Sequence, residues 1–334
     1  MARFNPWGAT PGPFRRGMGE RLREPLERRL RGLGPEDAAL VRQATLLRRV
    51  DVGPQNARYG PRKFGGLSSM AVSAAHFDEP EFLRWEAVIS GRPEPVAPPL
   101  PFKHRKMWEF VFILAAVQAG GQYRPGARGI GFGVGSEPLS AAFARGGAEV
   151  VATDQPVSQG RAWDSNGQLM HGLANLSHPQ IIGDDELARR VTTRPVDMNE
   201  LPPDLGRFDF MWSSCVIEHL GSPAHGLAFI RSAAALLNPG GVGVHTTELE
   251  LVPRETTMDY GHCAVYRTDD LLELEQELRG DGFEVDFNLH VPMDSPEDRF
   301  ISPVDPKEPD PSHLKLVIGD SVSTSFGIVV RRPA

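Results

Sequence analysis

The run Gly129-Ile130-Gly131-Phe132-Gly133-Val134-Gly135-Ser136 decides how this chain is read. Glycines at alternate positions let a backbone bend tightly and come close to a ligand without Cβ interference. The run lies as a turn region between two apolar helical stretches, Met107 to Ala119 and Leu139 to Arg145. A short apolar strand follows, Ala148 to Thr153, and ends in Asp154. An ionised carboxylate at the carboxyl end of a strand, about twenty residues past the glycines, can accept hydrogen bonds from two ribose hydroxyls. That arrangement suits a nucleoside. The spacing is G-x-G-x-G, and Ser136 stands where the dinucleotide fingerprint wants its third small residue.

Outward from this point, strands and helices alternate. Phe208 to Ser213 reads as a strand, and Ala224 to Leu237 as a helix ended by Asn238-Pro239-Gly240-Gly241. Val242 to Thr246 is the next strand, Thr268 to Gly280 a helix, Phe283 to Leu289 a strand and Thr324 to Arg331 the last strand. Alternation of this kind predicts parallel strands joined by crossover helices, hence an open α/β sheet. Upstream, Gly34 and Pro35 start a helix with Leu40, Val41, Ala44 and Leu47 on one apolar face. Leu22, Leu26 and Leu30 suggest a shorter helix, Glu79 to Ile89 another, and Arg92 to Pro101 is a linker with five prolines. We divide the chain into a basic N-terminal extension with a helical and loop cap, 1–104, and a second unit, 105–334, interrupted by a proline- and acid-rich insertion, 291–322.

The ordered pieces are the Gly131/Gly133/Gly135 loop, Asp154, the Asp197-Met198 pair, Phe208-Asp209-Phe210-Met211-Trp212-Ser213-Ser214 and Leu237-Asn238-Pro239-Gly240-Gly241. Together they resemble the class I, Rossmann-like methyltransferases that depend on S-adenosylmethionine. The resemblance covers Met107 to Leu289 and the last strand. It implies a mostly parallel seven-stranded sheet flanked by helices, with an antiparallel last strand, and S-adenosyl-L-methionine as cofactor. It places Gly131, Gly133 and Gly135 at the methionine moiety, Asp154 and Gln155 at the ribose, Asp197 and Met198 at the adenine, and Ser213 and Ser214 beside them. One position departs from the family pattern, because an acid two residues before the first loop glycine is replaced by Gly129. Glu137 or Glu109 could take over its contact with the cofactor's amino group.

For the transfer itself, His219, His245 and Glu248 are the candidate catalytic residues. His219 follows Glu218 just past a strand's carboxyl edge, where open α/β sheets place ligands. His245 and Glu248 open a polar group that continues through Glu250, Asp259, Tyr260, His262 and Tyr266. Such groups can orient a hydroxyl and take its proton. No H-E-x-x-H or Cys/His spacing occurs, so no metal is expected. The glycine loop, the Ser213 to Gly221 run and the closing region also resemble bacterial enzymes of sugar and surface-polysaccharide pathways. That likeness implies a small-molecule or glycan hydroxyl as acceptor. An NAD(P)-dependent oxidoreductase and a cofactor-binding protein without turnover remain rival readings, the second motivated by Gly129.

Composition sets the outer bounds. With 334 residues, 40% hydrophobic and 24% charged, the chain can bury a full core and is not disordered throughout. Its longest apolar stretch, Phe110 to Ala119, is about half of what a bilayer needs. Residues 1 to 63 carry 14 Lys and Arg against 6 Asp and Glu, although the whole chain has a net charge of −7. The acidic remainder argues against nucleic acid as partner. Cys215 and Cys263 match no metal spacing and read as reduced thiols in the cytoplasm. Oligomeric state stays open.

Overall fold

The computed structural model describes residues 31–92, 100, 102–156, 168–261, 263–303 and 311–334. The leucine spacing of 22–30, most of the 92–101 linker and His262 therefore lie outside the described residues. A central sheet has ten strands: β1 (Ser69–Ala71), β2 (Arg128–Phe132), β3 (Glu149–Asp154), β4 (Val191–Pro195), β5 (Phe208–Ser214), β6 (Leu237–Glu250), β7 (Phe287–Asn288), β8 (Ile301–Ser302), β9 (Lys315–Ile318) and β10 (Ser321–Arg331). Their order is β7-β1-β10-β6-β5-β2-β3-β4, with β9 also on β10 and β8 on β9. From β4 to β6 all neighbours are parallel, and β10 runs antiparallel to β6. The mostly parallel sheet and its antiparallel last strand are as expected, and among the described residues the sheet has ten strands where seven were expected. The additional short strands come from the stretch upstream of the repeating α/β core and from the insertion before β10. β1 inserts between β7 and β10, parallel to the first and antiparallel to the second.

The principal helices are α1 (Pro35–Leu47), α2 (Pro80–Ile89), α3 (Arg105–Ala119), α4 (Leu139–Arg145), α5 (Pro223–Ala234) and α6 (Thr268–Gly280). Residues of α2, α3 and α4 join Phe210 and Trp212 in one apolar layer. Residues of α5 and α6 join Phe132, Phe208 and Met211 in the layer on the other face. No described helix is long and apolar enough to cross a membrane. α1 is attached differently from its expected apolar face. Leu40 is 69% exposed, and the helix docks through Leu46 and through Gln43, whose amide exchanges two hydrogen bonds with the Ile301 backbone. Of the expected Phe283 to Leu289 strand only Phe287–Asn288 pairs as a strand, joined by a single bridge from Glu284 to Arg331.

The glycine run needs a correction with a physical reason. Gly129 and Gly131 are strand residues of β2, opposite Phe210 and Trp212 of β5. A Cβ on Gly129 would come within 2.2 Å of the Phe210 ring, and one on Gly131 within 2.3 Å of Trp212. Phe143 of α4 closes over both rings, at centroid distances of 4.6 and 4.9 Å. These two glycines make room for aromatic side chains, and only the later ones bend the chain.

Gly129→Ala is expected to cost about 1–3 kcal/mol through overpacking, seen as a lower urea midpoint. A Cβ on Gly60 would meet nothing within 4 Å. Gly60→Ala should therefore stay within about 0.5 kcal/mol of the parent.

Candidate functional site

Just past β2 the chain turns through Gly133 and Gly135, with φ of 61° and 53°. Only glycine adopts such angles freely. Val134 N–H donates to the Thr153 carbonyl at 3.0 Å and the Thr153 hydroxyl to the Gly131 carbonyl at 2.7 Å, which fastens the bend to β3. Asp154, the last residue of β3, is buried. Its Oδ2 accepts the amides of Gly135 at 3.1 Å and Met170 at 3.0 Å, and its Oδ1 accepts that of Gln155 at 2.8 Å. Burial pushes this carboxyl up, while the three amides pull the other way. A carboxylate has about four acceptor positions, so one stays available. Gln168 to Met170 lie across the bend: a Cβ on Gly135 would sit 2.5 Å from the Gln168 carbonyl oxygen.

At the neighbouring strand end Val196 N–H bonds the Asp154 carbonyl. Asp197 then closes a turn by accepting the Asn199 amide at 2.9 Å, with Met198 buried behind it. The bend, Asp154 with Gln155, and Asp197 with Met198 thus stand at three successive strand ends, β2, β3 and β4. Their donor and acceptor pattern fits an adenosyl group. Asp154 has an acceptor position left that a ribose hydroxyl could use, and the bend beside it has no room for side chains.

The end of β5 carries a second constellation. Cys215 is the single non-glycine with left-handed φ among the described residues, at 50°. Its thiol donates to Oε2 of Glu109 at 3.2 Å, and the Ser214 hydroxyl does so at 3.3 Å. Arg105 pairs with Glu109 at 2.9 Å and with Glu248 at 2.5 Å, and Lys106 pairs with Glu109 at 2.8 Å. Ser325 and Ser323 of β10 donate to Glu109 and Glu248 at 2.6 and 2.8 Å. Burial alone would raise the Glu109 carboxyl, but Lys106 and Arg105 beside it hold it down at about 2. The same burial works against the charges of Arg105 and Lys106, and their acidic neighbours keep both firmly protonated. Glu218, bonded to the Thr247 hydroxyl at 3.2 Å, is pushed up to about 8 by burial and by Glu248. At neutral pH Arg105 and Lys106 are therefore charged, Glu109 is ionised, and Glu218 is mostly protonated.

The expected catalytic residues do not all meet here. Glu248 joins the constellation, paired to Arg105. His245 stands on the other face of β6, since residues three apart in a strand point to opposite sides. Its Nδ1 bonds the Ser213 hydroxyl at 2.8 Å, its ring meets Phe229 edge-on, and burial lowers it to about 3, so it is neutral. Ser213 faces that layer too, and only Ser214 reaches Glu109. His219 is half-buried in the single turn Ile217–His219, and it is its neighbour Glu218 that reaches Thr247. Glu250 pairs with Arg254, and the Tyr266 hydroxyl donates to the Ile217 carbonyl. Ligand atoms of Cys215, Glu218 and Glu248 lie within 4.8 Å of one another, although the sequence spacing suggests no metal site. Arg105 on Glu248 and Glu109 on Cys215 already satisfy two of them. Arg105, Lys106, Glu109 and Cys215 escape a reading of the sequence for catalytic groups. The one signal for the first three is a charged triple at i, i+1 and i+4, which sets Glu109 four residues past Arg105 and three past Lys106, opening a helix that is otherwise apolar.

A cavity of about 350 Å³ opens farther along the same edge, between the segment after β1 and that after β7. Ser73, His76, Lys103, Asn288, His290 and Asp298 are among its walls. Both ring nitrogens of His290 are buried without a partner among the described residues. Lys103 is paired with Asp78 at 3.1 Å, and Asp298 accepts from Ala74 N–H and the Ser295 hydroxyl. Only β10 separates the cavity from Glu109, because Val72 N–H bonds the Ser325 carbonyl and the Ser325 hydroxyl bonds Glu109.

Glu218 gives stability a pH dependence of definite sign. Its proton is held to about pH 8 in the fold, against a reference of 4.5. Its contribution is complete below the unfolded value and is lost as pH rises through the folded one. Glu218→Gln should flatten the fall in unfolding free energy across that window, measured by urea titration at several pH values. An unchanged slope would show that Glu218 is ionised in the fold.

The sequence profile described as "Methyltransferase domain" matches residues 107–286, more than half of the chain. No curated protein matches the sequence. Among solved structures, magnesium protoporphyrin IX methyltransferase from Synechocystis PCC 6803 is 15% identical, over 78% of this chain and 94% of that one, with a TM-score of 0.39. An S-adenosylmethionine-dependent methyltransferase from Clostridium acetobutylicum ATCC 824 is 10% identical, over 68% of this chain and 91% of that one, with a TM-score of 0.38. Such slight similarity carries neither acceptor nor mechanism across. The profile match, on an α/β sheet with a glycine bend and an acidic strand end beside it, makes this chain a member of the class I methyltransferases, enzymes that use S-adenosylmethionine.

Proposed function

We propose that the protein transfers a methyl group to a hydroxyl oxygen of a small polar molecule or glycan in the cytoplasm. The observation that supports this most directly is the polar cavity at the sheet's carboxyl edge, with the unpartnered His290 in its wall. A neutral imidazole offers one donor and one acceptor, which matches a hydroxyl-rich ligand. Lys103 is paired with Asp78, and Asp298 is held by the Ala74 amide and the Ser295 hydroxyl.

When bound, S-adenosylmethionine supplies a methyl made electrophilic by its sulfonium. The backbone at Gly131, Gly133 and Gly135 holds the methionine end, Asp154 and Gln155 the ribose, Asp197 and Met198 the adenine, and Ser214 lies beside them. Holding reactants in line can lower a barrier by about 7–11 kcal/mol. Glu248 acts by fixing Arg105 rather than by touching the acceptor, and His219 borders the acceptor's approach. Glu218, whose carboxyl is raised to about 8, takes up a hydroxyl proton only in its ionised form, the minor form at neutral pH, which gains ground as pH rises toward that value.

Two measurements test this. Asp154→Ala should weaken S-adenosylhomocysteine binding by about 1–3 kcal/mol in calorimetry, and unchanged affinity would mean the ribose contact is misplaced. In a panel of monosaccharides, glycans, amines and thiols supplied with carbon-13-methyl cofactor, the label should appear as an O-methyl signal on a hydroxylated acceptor. Transfer only to nitrogen, sulfur or carbon overturns the proposal.

A further inference from the structure

We propose that Glu137 is the carboxylate that receives the ammonium group of the cofactor's methionine moiety. This rests on the bend Gly133–Gly135 being the cofactor loop. Three positions come into question for the role. At the first, Gly129, the Phe210 ring leaves no room even for a Cβ. At the second, Glu109 already takes Arg105, Lys106, Ser214, Cys215 and Ser325, more donors than its two oxygens have acceptor positions for.

Glu137 differs on both counts. It lies two residues past Gly135, and its amide is tied to the Val134 carbonyl. Its Oε1 accepts the Trp212 indole N–H at 2.5 Å, the same ring that packs on Gly131. That single bond aims the carboxyl along the bend and leaves Oε2 without a donor among the described residues. The side chain is half-buried, so this oxygen can still be reached.

The surroundings set its charge. Burial is the largest influence and raises the carboxyl to about 8, the Trp212 bond and Lys106 of α3 lower it, and Asp154 of β3 and Glu109 of α3 raise it. On the remaining side His178 bonds the Ser136 carbonyl. Near pH 7 the isolated group is therefore mostly protonated. An arriving ammonium favours the ionised form, so the carboxyl proton leaves to solvent as the ion pair forms. No other bond changes.

The test is calorimetry on the full chain at about pH 7, in two buffers of different ionisation enthalpy. The ligands are S-adenosylhomocysteine, which carries the ammonium, and methylthioadenosine, which lacks it. The parent protein should release close to one proton with the first and none with the second. Glu137→Gln should lose at least about tenfold in affinity for S-adenosylhomocysteine, keep its affinity for methylthioadenosine within about twofold, and release no proton. Equal weakening for both ligands, or proton release that persists in the variant, overturns the assignment. Proton release by the parent protein is informative even if the variant does not fold, and its absence also overturns it. Failure of both ligands to bind the parent protein overturns the cofactor loop, and Glu137 with it.

Discussion

A guanidinium taken out of water has to be matched by carboxylates, and the arrangement around Arg105 follows from that requirement. Its partners are Glu109, one turn along α3, and Glu248, on β6. Removing either would leave a charge in a medium where water cannot screen it. The pairings therefore fix the first turn of α3 against the ends of β5, β6 and β10. Helix and strands meet at the edge where the bend and Asp154 also lie, so the charge network serves as a frame for the site. Lys106 adds a second cation beside Glu109.

The sheet solves a second problem by size. Five parallel strands carry large aromatics on β5, and the room for them comes from bare backbone on β2. Phe210 and Trp212 reach across to Gly129 and Gly131, and Phe143 completes the stack. The same glycine-rich run thus does two jobs, admitting rings in its first half and bending in its second. Both halves place Trp212, whose indole then aims Glu137.

Much of this was legible in the residues. Helix α4 and helix α6 begin and end where Leu139, Arg145, Thr268 and Gly280 indicate, because their apolar spacing and flanking signals agree. Asp154 could be picked out because a strand, a bend and an acid followed one another at the right spacing. Gly129 and Gly131 could not be recognised as strand residues, since the reason for them sits on another strand. The separation of His245 from Glu248 was available in principle from strand alternation. The pairing of Glu109 with Ser325, by contrast, joins residues 216 positions apart in the chain. No local pattern announces such a contact. β1 is too short for any periodicity to show, and its partners are supplied by β7 and β10.

The position of β1 bears on how the chain is made. Met70 pairs with Gly327 on one side and with Asn288 on the other. A ribosome delivers the first of these residues long before the other two. At roughly 5–20 residues per second the delay is about ten to fifty seconds. Throughout it the apolar segment Met70-Ala71-Val72 has no edge to join, and an unpaired strand is a template for the wrong neighbour. Its neighbours in sequence, Ser68 and Ser69 before it and Ser73 after it, keep the exposed stretch short. Closure of the sheet is in this sense a late event, set by synthesis from one end.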